Sequence, residues 1–259
     1  MRYEEATQPF EFGEGSHYVI ACHGFSGNPY EMRWLGQHLA DNGFHVVGPL
    51  LPGAGESKEA LAKTRFPDWY GEVERTLEEI KARDPETIFM TGLSMGGFLT
   101  LYTGAHHPEV KALAPVAAPL YIKNKLLWLA PIMKHLMTYL PNGEEWFVCD
   151  ESLKEDPILL ENRKRYNKTV IPAALSLISH INQLRKKFIT NVTQPILISH
   201  GKKDGYVEPA NASLIYDKVS SDQKELLWLE NSNHMATMDL DKELLFQRIT
   251  QFFQAQLNT

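Results

Sequence analysis

Short, mainly apolar runs alternate with segments of helical periodicity over the first 120 residues. The runs are "HYVIACHGF" (17–25), "HVVGPLLPG" (45–53), "TIFMTGL" (87–93) and "VKALAPVAAPL" (110–120). Between them, Met32, Leu35, Leu39 and Phe44 fall near helical spacing, and so do Trp69, Val73, Leu77 and Ile80. A third helix is expected over 96–107, closed by Pro108, and Asn42-Gly43 stops the first. A strand apolar on both faces has to be covered on both, and helical crossovers join strands in parallel. The pattern therefore predicts an α/β architecture, a mostly parallel sheet with helices on both sides.

The alternation stops at residue 120. Residues 121–190 read as mostly helical, without a convincing strand, and carry prolines at 131, 141, 157 and 172. It resumes with a strand at 195–201, a helix at 209–219, a strand at 224–230 and a helix at 241–257. One sheet domain is expected, with residues 1–120 and 191–259 forming its two parts and 121–190 a helical insertion. A chain of 259 residues suits a single core of this kind.

The charge balance, −6 with no basic block, argues against nucleic acid or an anionic membrane as the main partner. The N-terminal "MRYEEATQPFEF" has neither the basic nor the apolar region of a secretory signal. The longest apolar stretch, 126–140, is broken by Pro131, Lys134 and His135, so no integral membrane segment is expected. Two cysteines, Cys22 and Cys149, make no disulfide framework and fit a reducing, cytoplasmic setting. Histidine–cysteine clusters at metal-ligand spacing and phosphate-cradling glycine loops are absent, so neither metal nor cofactor is expected. The oligomeric state is left open between a monomer and a homodimer.

The segment "TGLSMGGF" (91–98) places Ser94 between Gly92 and Gly96, where a strand gives way directly to a helix. So sharp a turn leaves no room for side chains two positions to either side, and it projects the serine hydroxyl outward. Its bland alternative is a turn serine bonded to its own backbone. As a nucleophile, Ser94 needs a base and a group to orient that base. In a parallel sheet these come from loops at the carboxyl ends of strands. Two such loops follow the insertion, "SHGKKDGYVEP" with Asp204 and "ENSNHMATMD" with His234. Glu208 is a rival acid, but it precedes Pro209 and suits the first turn of the next helix. His200 lies on its strand and reads as structural. The loop "HGFSGN" (23–28) is placed to supply the Phe25 N–H, which with the Met95 N–H forms an oxyanion hole. His23 reads as a brace for that loop.

With these residues in place, the chain resembles the α/β-hydrolase superfamily, and within it the small bacterial carboxylesterases and monoacylglycerol lipases of the Bacillus type. The resemblance rests on "HGFSGNPYEMRWLG" (23–36), "GLSMGG" (92–97), "APLYIKNK" (118–125), "DGYVEPANASLIYDKV" (204–219) and "NHMATMD" (233–239). It implies an α/β-hydrolase fold with Ser94 as nucleophile, Asp204 as acid, His234 as base, and Phe25 and Met95 as the oxyanion pair. Two departures matter. Asn233 stands where many relatives have glycine, and asparagine is the next-best residue for a left-handed backbone. The "HG" motif also arrives by residue 24, leaving little room for the first hairpin of larger hydrolases, so six or seven strands are expected.

The insertion would cap the site. Leu126, Leu127, Leu129, Ile132, Met133, Leu136 and Met137, with Trp128 and Trp146 nearby, form an apolar set. It suits either an acyl-chain pocket or the cap's own packing. The expected substrate is a small-molecule ester with an apolar acyl group, cleaved by a carboxylesterase of short- to medium-chain preference. A monoacylglycerol lipase is the alternative. A catalytically silent binding module on the same fold is the reading from another class, and a thioesterase, peptidase or C–C hydrolase would share the scaffold.

Overall fold

The computed structural model describes residues 1–122, 138–141 and 147–257. Five strands precede residue 120: β1 (Phe10–Phe12), β2 (His17–Cys22), β3 (His45–Gly48), β4 (Thr87–Leu93) and β5 (Ala112–Val116). Among the described residues beyond it are β6 (Tyr139–Pro141), β7 (Lys168–Val170), β8 (Ile196–Gly201) and β9 (Lys224–Leu229). The first helices are α1 (Tyr3–Ala6), α2 (Tyr30–Asp41), α3 (Lys58–Leu61), α4 (Phe66–Lys81) and α5 (Met95–His106). Later come α6 (Pro157–Arg165), α7 (Ile171–Gln183), α8 (Ala210–Lys218) and α9 (Lys242–Ala255).

Seven strands form one sheet in the order β1-β3-β2-β4-β5-β8-β9. All its pairings are parallel except β1 with β3, where Phe10 faces Gly48 and Phe12 faces Val46. The mostly parallel α/β sheet read from the sequence is the sheet observed, at the upper end of the expected strand number. Along β2, Tyr18, Ile20 and Cys22 enter one core while Val19 and Ala21 enter the other, so the strand is apolar on both faces. Helices α2 and α9 cover the second core through Leu35, Leu39, Phe246 and Phe253. Helices α4, α5, α7 and α8 cover the first through Trp69, Leu77, Phe98, Leu177 and Ile215.

Three strands were not anticipated. β1 is an edge strand of three residues, and the antiparallel ribbon β6–β7 pairs Tyr139 with Val170 and Pro141 with Lys168. The ribbon corrects the reading of 121–190 as strandless. Three residues are too few for a period of two to register. Helix α6 is signalled locally: the Asp156 side chain accepts from the N–H groups of Ile158 and Leu159, and Pro157 takes the first helical position. Both cysteines are unpaired. No helix among the described residues is long and apolar enough to cross a membrane.

The turn from β4 to α5 is as crowded as its glycines imply. A Cβ on Gly96 would lie 2.0 Å from the Cys22 carbonyl oxygen, and one on Gly92 would lie 2.4 Å from the Gly96 carbonyl carbon. Both obstacles are backbone, so relief requires α5 to move off the sheet. Gly96→Ala is therefore expected to destabilise the fold by about 3 kcal/mol, read from its urea midpoint. Gly71→Ala on α4 is the control. Nothing lies within 4 Å of the added atom, so it should stabilise the fold by about 0.5–1 kcal/mol.

Candidate active site

Parallel strands deliver their carboxyl ends to one edge of the sheet. β2 runs out into loop 23–28, β4 into Ser94, β8 into the turn bearing Asp204 and β9 into the loop bearing His234. Residues far apart in sequence therefore meet there.

Ser94 sits at the N-terminus of α5 with φ 56° and ψ −112°, a conformation that only surrounding structure can impose on a non-glycine residue. Its N–H donates to the Val116 carbonyl at 2.9 Å, and its carbonyl accepts from the Phe98 N–H at 2.9 Å. The hydroxyl is left to donate to Nε2 of His234, 2.9 Å away. Nδ1 of the same ring donates to Oδ2 of Asp204 at 2.8 Å.

Asp204 is buried and surrounded by donors. Oδ1 accepts from the N–H groups of Tyr206 and Val207, both at 2.8 Å. Oδ2 accepts from His234 and also from Nε2 of His200, 3.0 Å away. Burial alone would raise the carboxyl's pKa. The His234 imidazole and the hydrogen bonds from both histidines outweigh it and hold the group well below the usual carboxylate range. His200 Nε2 also meets the Val207 carbonyl at 3.0 Å, an acceptor only, so that nitrogen carries the proton. The histidine read as structural thus rests directly on the acid. Its position four residues ahead of Asp204, at the end of β8, was the available signal.

Loop 23–28 is pinned from several sides. His23 is fully buried; Nδ1 donates to the Gly24 carbonyl at 2.9 Å and Nε2 accepts from the Leu51 N–H at 3.1 Å. Burial pushes this ring's pKa down to about 4, so it is a neutral brace. Asn162, on α6, donates to the Ser26 carbonyl at 3.1 Å and accepts from the Asn28 amide at 3.1 Å. The Tyr30 hydroxyl donates to Asp156 at 2.9 Å, tying α2 to the start of α6. Among the described residues, neither the Phe25 N–H nor the Met95 N–H makes a hydrogen bond. Met95 is the first residue of α5, where an N–H has no partner within the helix.

The His234 loop departs from expectation at Asn233, which does not take up left-handed backbone. Instead its side-chain oxygen accepts from the His234 N–H at 2.8 Å and from the Gly205 N–H at 3.3 Å. Asp239, which no sequence argument singled out, accepts from the N–H groups of Cys149, Asp150 and Asn233. It joins residues 149–150 to the loop bearing His234. Around the imidazole, Phe147 and Tyr206 form an aromatic rim, with ring centroids 6.1 Å and 5.1 Å from it.

Ser94 and His234 open onto a cavity of about 790 Å³. Phe25, Leu93, Leu159, Leu160, Val170 and Met235 give it apolar walls, while Glu31, Asn162, Arg163, Asn167 and Thr169 give it a polar side. The apolar set expected at Leu126, Leu127, Trp128, Leu129, Ile132, Met133, Leu136, Met137 and Trp146 lies outside the described residues. A second cavity, of about 470 Å³ between β1, β3 and α4, contains none of these groups.

Over residues 13–241 the chain matches the family described as serine aminopeptidase, S33. It is similar to the thermostable monoacylglycerol lipase of Bacillus sp. strain H-257, with 35% identity over 251 residues covering 95% of this chain and 94% of the relative. The carboxylesterase of Bacillus subtilis strain 168 is 28% identical over 248 residues, covering 95% of this chain and 96% of the relative. A solved structure from the metagenome-derived lipolytic enzymes LipS and LipT matches with a TM-score of 0.87 and 33% identity. That match covers 96% of this chain and 98% of the other.

Proposed function

The chain belongs to the serine aminopeptidase S33 family, and we infer that it is a serine ester hydrolase in which Ser94 is the nucleophile, His234 the general base and Asp204 the acid that orients the base. Relatives that match nearly end to end as a monoacylglycerol lipase and a carboxylesterase support an ester, rather than a peptide, as substrate. The observation that carries the assignment of roles is the unbroken hydrogen-bond chain from the Ser94 hydroxyl through His234 to Asp204, at 2.9 and 2.8 Å.

As Ser94 attacks the ester carbonyl, its proton passes to Nε2 of His234, and Asp204 stabilises the imidazolium through Nδ1. The negative charge growing on the carbonyl oxygen is met by the N–H groups of Phe25 and Met95, fixed beforehand by the loop contacts and by α5. His234 then protonates the departing alcohol. Water, deprotonated by the same ring, attacks the acyl-enzyme and releases the acid, and Ser94 recovers its proton.

Residues 121–190 serve as a cap in this reading, supported by the contribution of Leu159, Leu160 and Asn162 to the cavity wall. The substrate is a small ester with an apolar acyl group of short to medium length, handled by a monomer or homodimer. The unpaired cysteines support a cytoplasmic setting. A monoacylglycerol lipase is the second reading, favoured by the polar side of the cavity at Asn162, Asn167 and Thr169, which suits a hydroxylated leaving group. Initial rates on p-nitrophenyl esters of rising chain length, beside monoacylglycerols, separate the two. The carboxylesterase reading expects an optimum at short to medium acyl length and a fall of about tenfold or more for long chains. A kcat/KM on monoacylglycerols above that of every simple ester would establish the second reading instead.

A further inference from the structure

Glu31 stands in the second position of α2 and is 7% exposed. In sequence it looks like an ordinary acid complementing a helix N-terminus. The structure turns its side chain into the protein, under the oxyanion loop. Oε2 accepts from the Gly24 N–H at 2.9 Å. Gly27 is folded so tightly over the carboxyl that a Cβ there would lie 2.1 Å from Oε1. A Cβ on Gly24 would lie 3.2 Å from Oε2 and 3.6 Å from the Cβ of Ser94. Loop 24–27 therefore wraps this one carboxyl, and Glu31 lines the same cavity as Phe25, Ser94 and His234.

We propose that Glu31 is a positioning residue for ester hydrolysis: its carboxylate is the template on which the oxyanion loop folds, and its charge faces the His234 imidazole as that ring receives the Ser94 proton. The proposal rests on the roles assigned above to Ser94, His234 and Phe25. An ionised acceptor makes the stronger bond to the Gly24 N–H, and a negative charge in a poorly solvated site favours the imidazolium. Protonating Glu31 weakens both effects. The groups facing the carboxyl are the Gly24 and Asn28 backbone, the His234 imidazole and the Tyr3 phenol of α1. Arg163, Lys164 and Lys168 line the same cavity from the inserted segment. Burial pushes the Glu31 pKa up to about 7, against the opposing pull of the Gly24 hydrogen bond and of His234. The ionised form is thus lost on acidification through neutrality, far above the usual glutamate range. Protonating Glu31 should accordingly add a step of about tenfold to the acid limb of kcat/KM.

Steady-state rates on p-nitrophenyl butyrate for wild type, Glu31→Gln and Glu31→Ala, measured from about pH 5.5 to about pH 9, test this. Glutamine keeps an acceptor for Gly24 but has no charge. Its acid limb is expected to lose that step, with kcat lowered about tenfold at alkaline pH and KM within about twofold of wild type. Alanine removes the template and is expected to lower kcat about a hundredfold, the scale of a displaced oxyanion donor. Thermal melting supplies a readout independent of catalysis. A carboxyl whose folded pKa is raised stabilises the protein below its unfolded pKa, and this stability is lost as pH rises through the folded value. The melting temperature of Glu31→Gln should therefore gain on wild type by about 4 °C or more between pH 5 and pH 8. A glutamine profile that superposes on wild type, an alanine variant of wild-type kcat, or a melting difference independent of pH would each overturn the proposal alone. Absence of ester hydrolysis by the wild-type chain would overturn the triad assignment, and this proposal with it.

Discussion

Ser94→Ala should leave a folded protein whose kcat on p-nitrophenyl butyrate is lower by about 10,000-fold or more. The size of the loss follows from what the hydroxyl does in the structure. It is the atom that His234 Nε2 faces at 2.9 Å, and no other hydroxyl is bonded to that nitrogen among the described residues. Without it, the Phe25 and Met95 N–H groups and the cavity remain, but in the proposed mechanism no covalent intermediate forms. The backbone bonds of residue 94 to Val116 and Phe98 do not involve the side chain and survive the substitution. Alanine inherits the same positive φ, so the turn is no more strained than before. Circular dichroism and melting temperature should match wild type to within a few degrees. A loss of only about tenfold would mean that another group performs the chemistry.

Asp204→Asn is the second large effect, expected to lower kcat by about 1,000- to 10,000-fold. Four donors converge on the aspartate: the N–H groups of Tyr206 and Val207, and the ring nitrogens of His200 and His234. An amide has a single acceptor oxygen, so its NH₂ must confront two of these donors. If the oxygen stays with the Tyr206 and Val207 N–H groups, His234 relieves the conflict by moving its proton to Nε2, where it can no longer take one from Ser94. His200 deepens the conflict, because its Nε2 proton is also committed to the Val207 carbonyl.

The same substitution should cost stability in a pH-dependent way. The Asp204 pKa is depressed on folding, so the stability it contributes is present above the unfolded value and is lost as pH falls through the folded one. At neutral pH, Asp204→Asn is expected to lose about 3 kcal/mol through the broken buried network. The gap to wild type should close on acidification. Urea denaturation of both proteins at neutral and strongly acid pH checks the sign, and a gap that widened instead would contradict it.

The parallel sheet was legible because each of its inner strands is short, apolar on both faces and set between periodic helices. Ser94, Asp204 and His234 stood out for a related reason: each follows the carboxyl end of such a strand. Residues that shape the site across the fold carried no comparable sign. Asn162 reaches loop 23–28 from α6, and its partners Ser26 and Asn28 lie more than a hundred residues away. Glu31 has the sequence appearance of a helix-start acid, and only the path of loop 24–27 over its carboxyl distinguishes it. Asn233 was read through its backbone tolerance, whereas the structure uses its side-chain oxygen. Such roles depend on packing between distant segments, to which local spacing is blind.

Activation of the Ser94 hydroxyl by His234 leaves a chemical signature. Mass spectrometry of the intact chain after exposure to a fluorophosphonate, followed by mapping of the modified peptide, tests it most directly. One adduct per chain is expected, located at Ser94, absent from Ser94→Ala and formed far more slowly in His234→Gln. A folded chain that takes up no label, or one labelled at another serine, would contradict it.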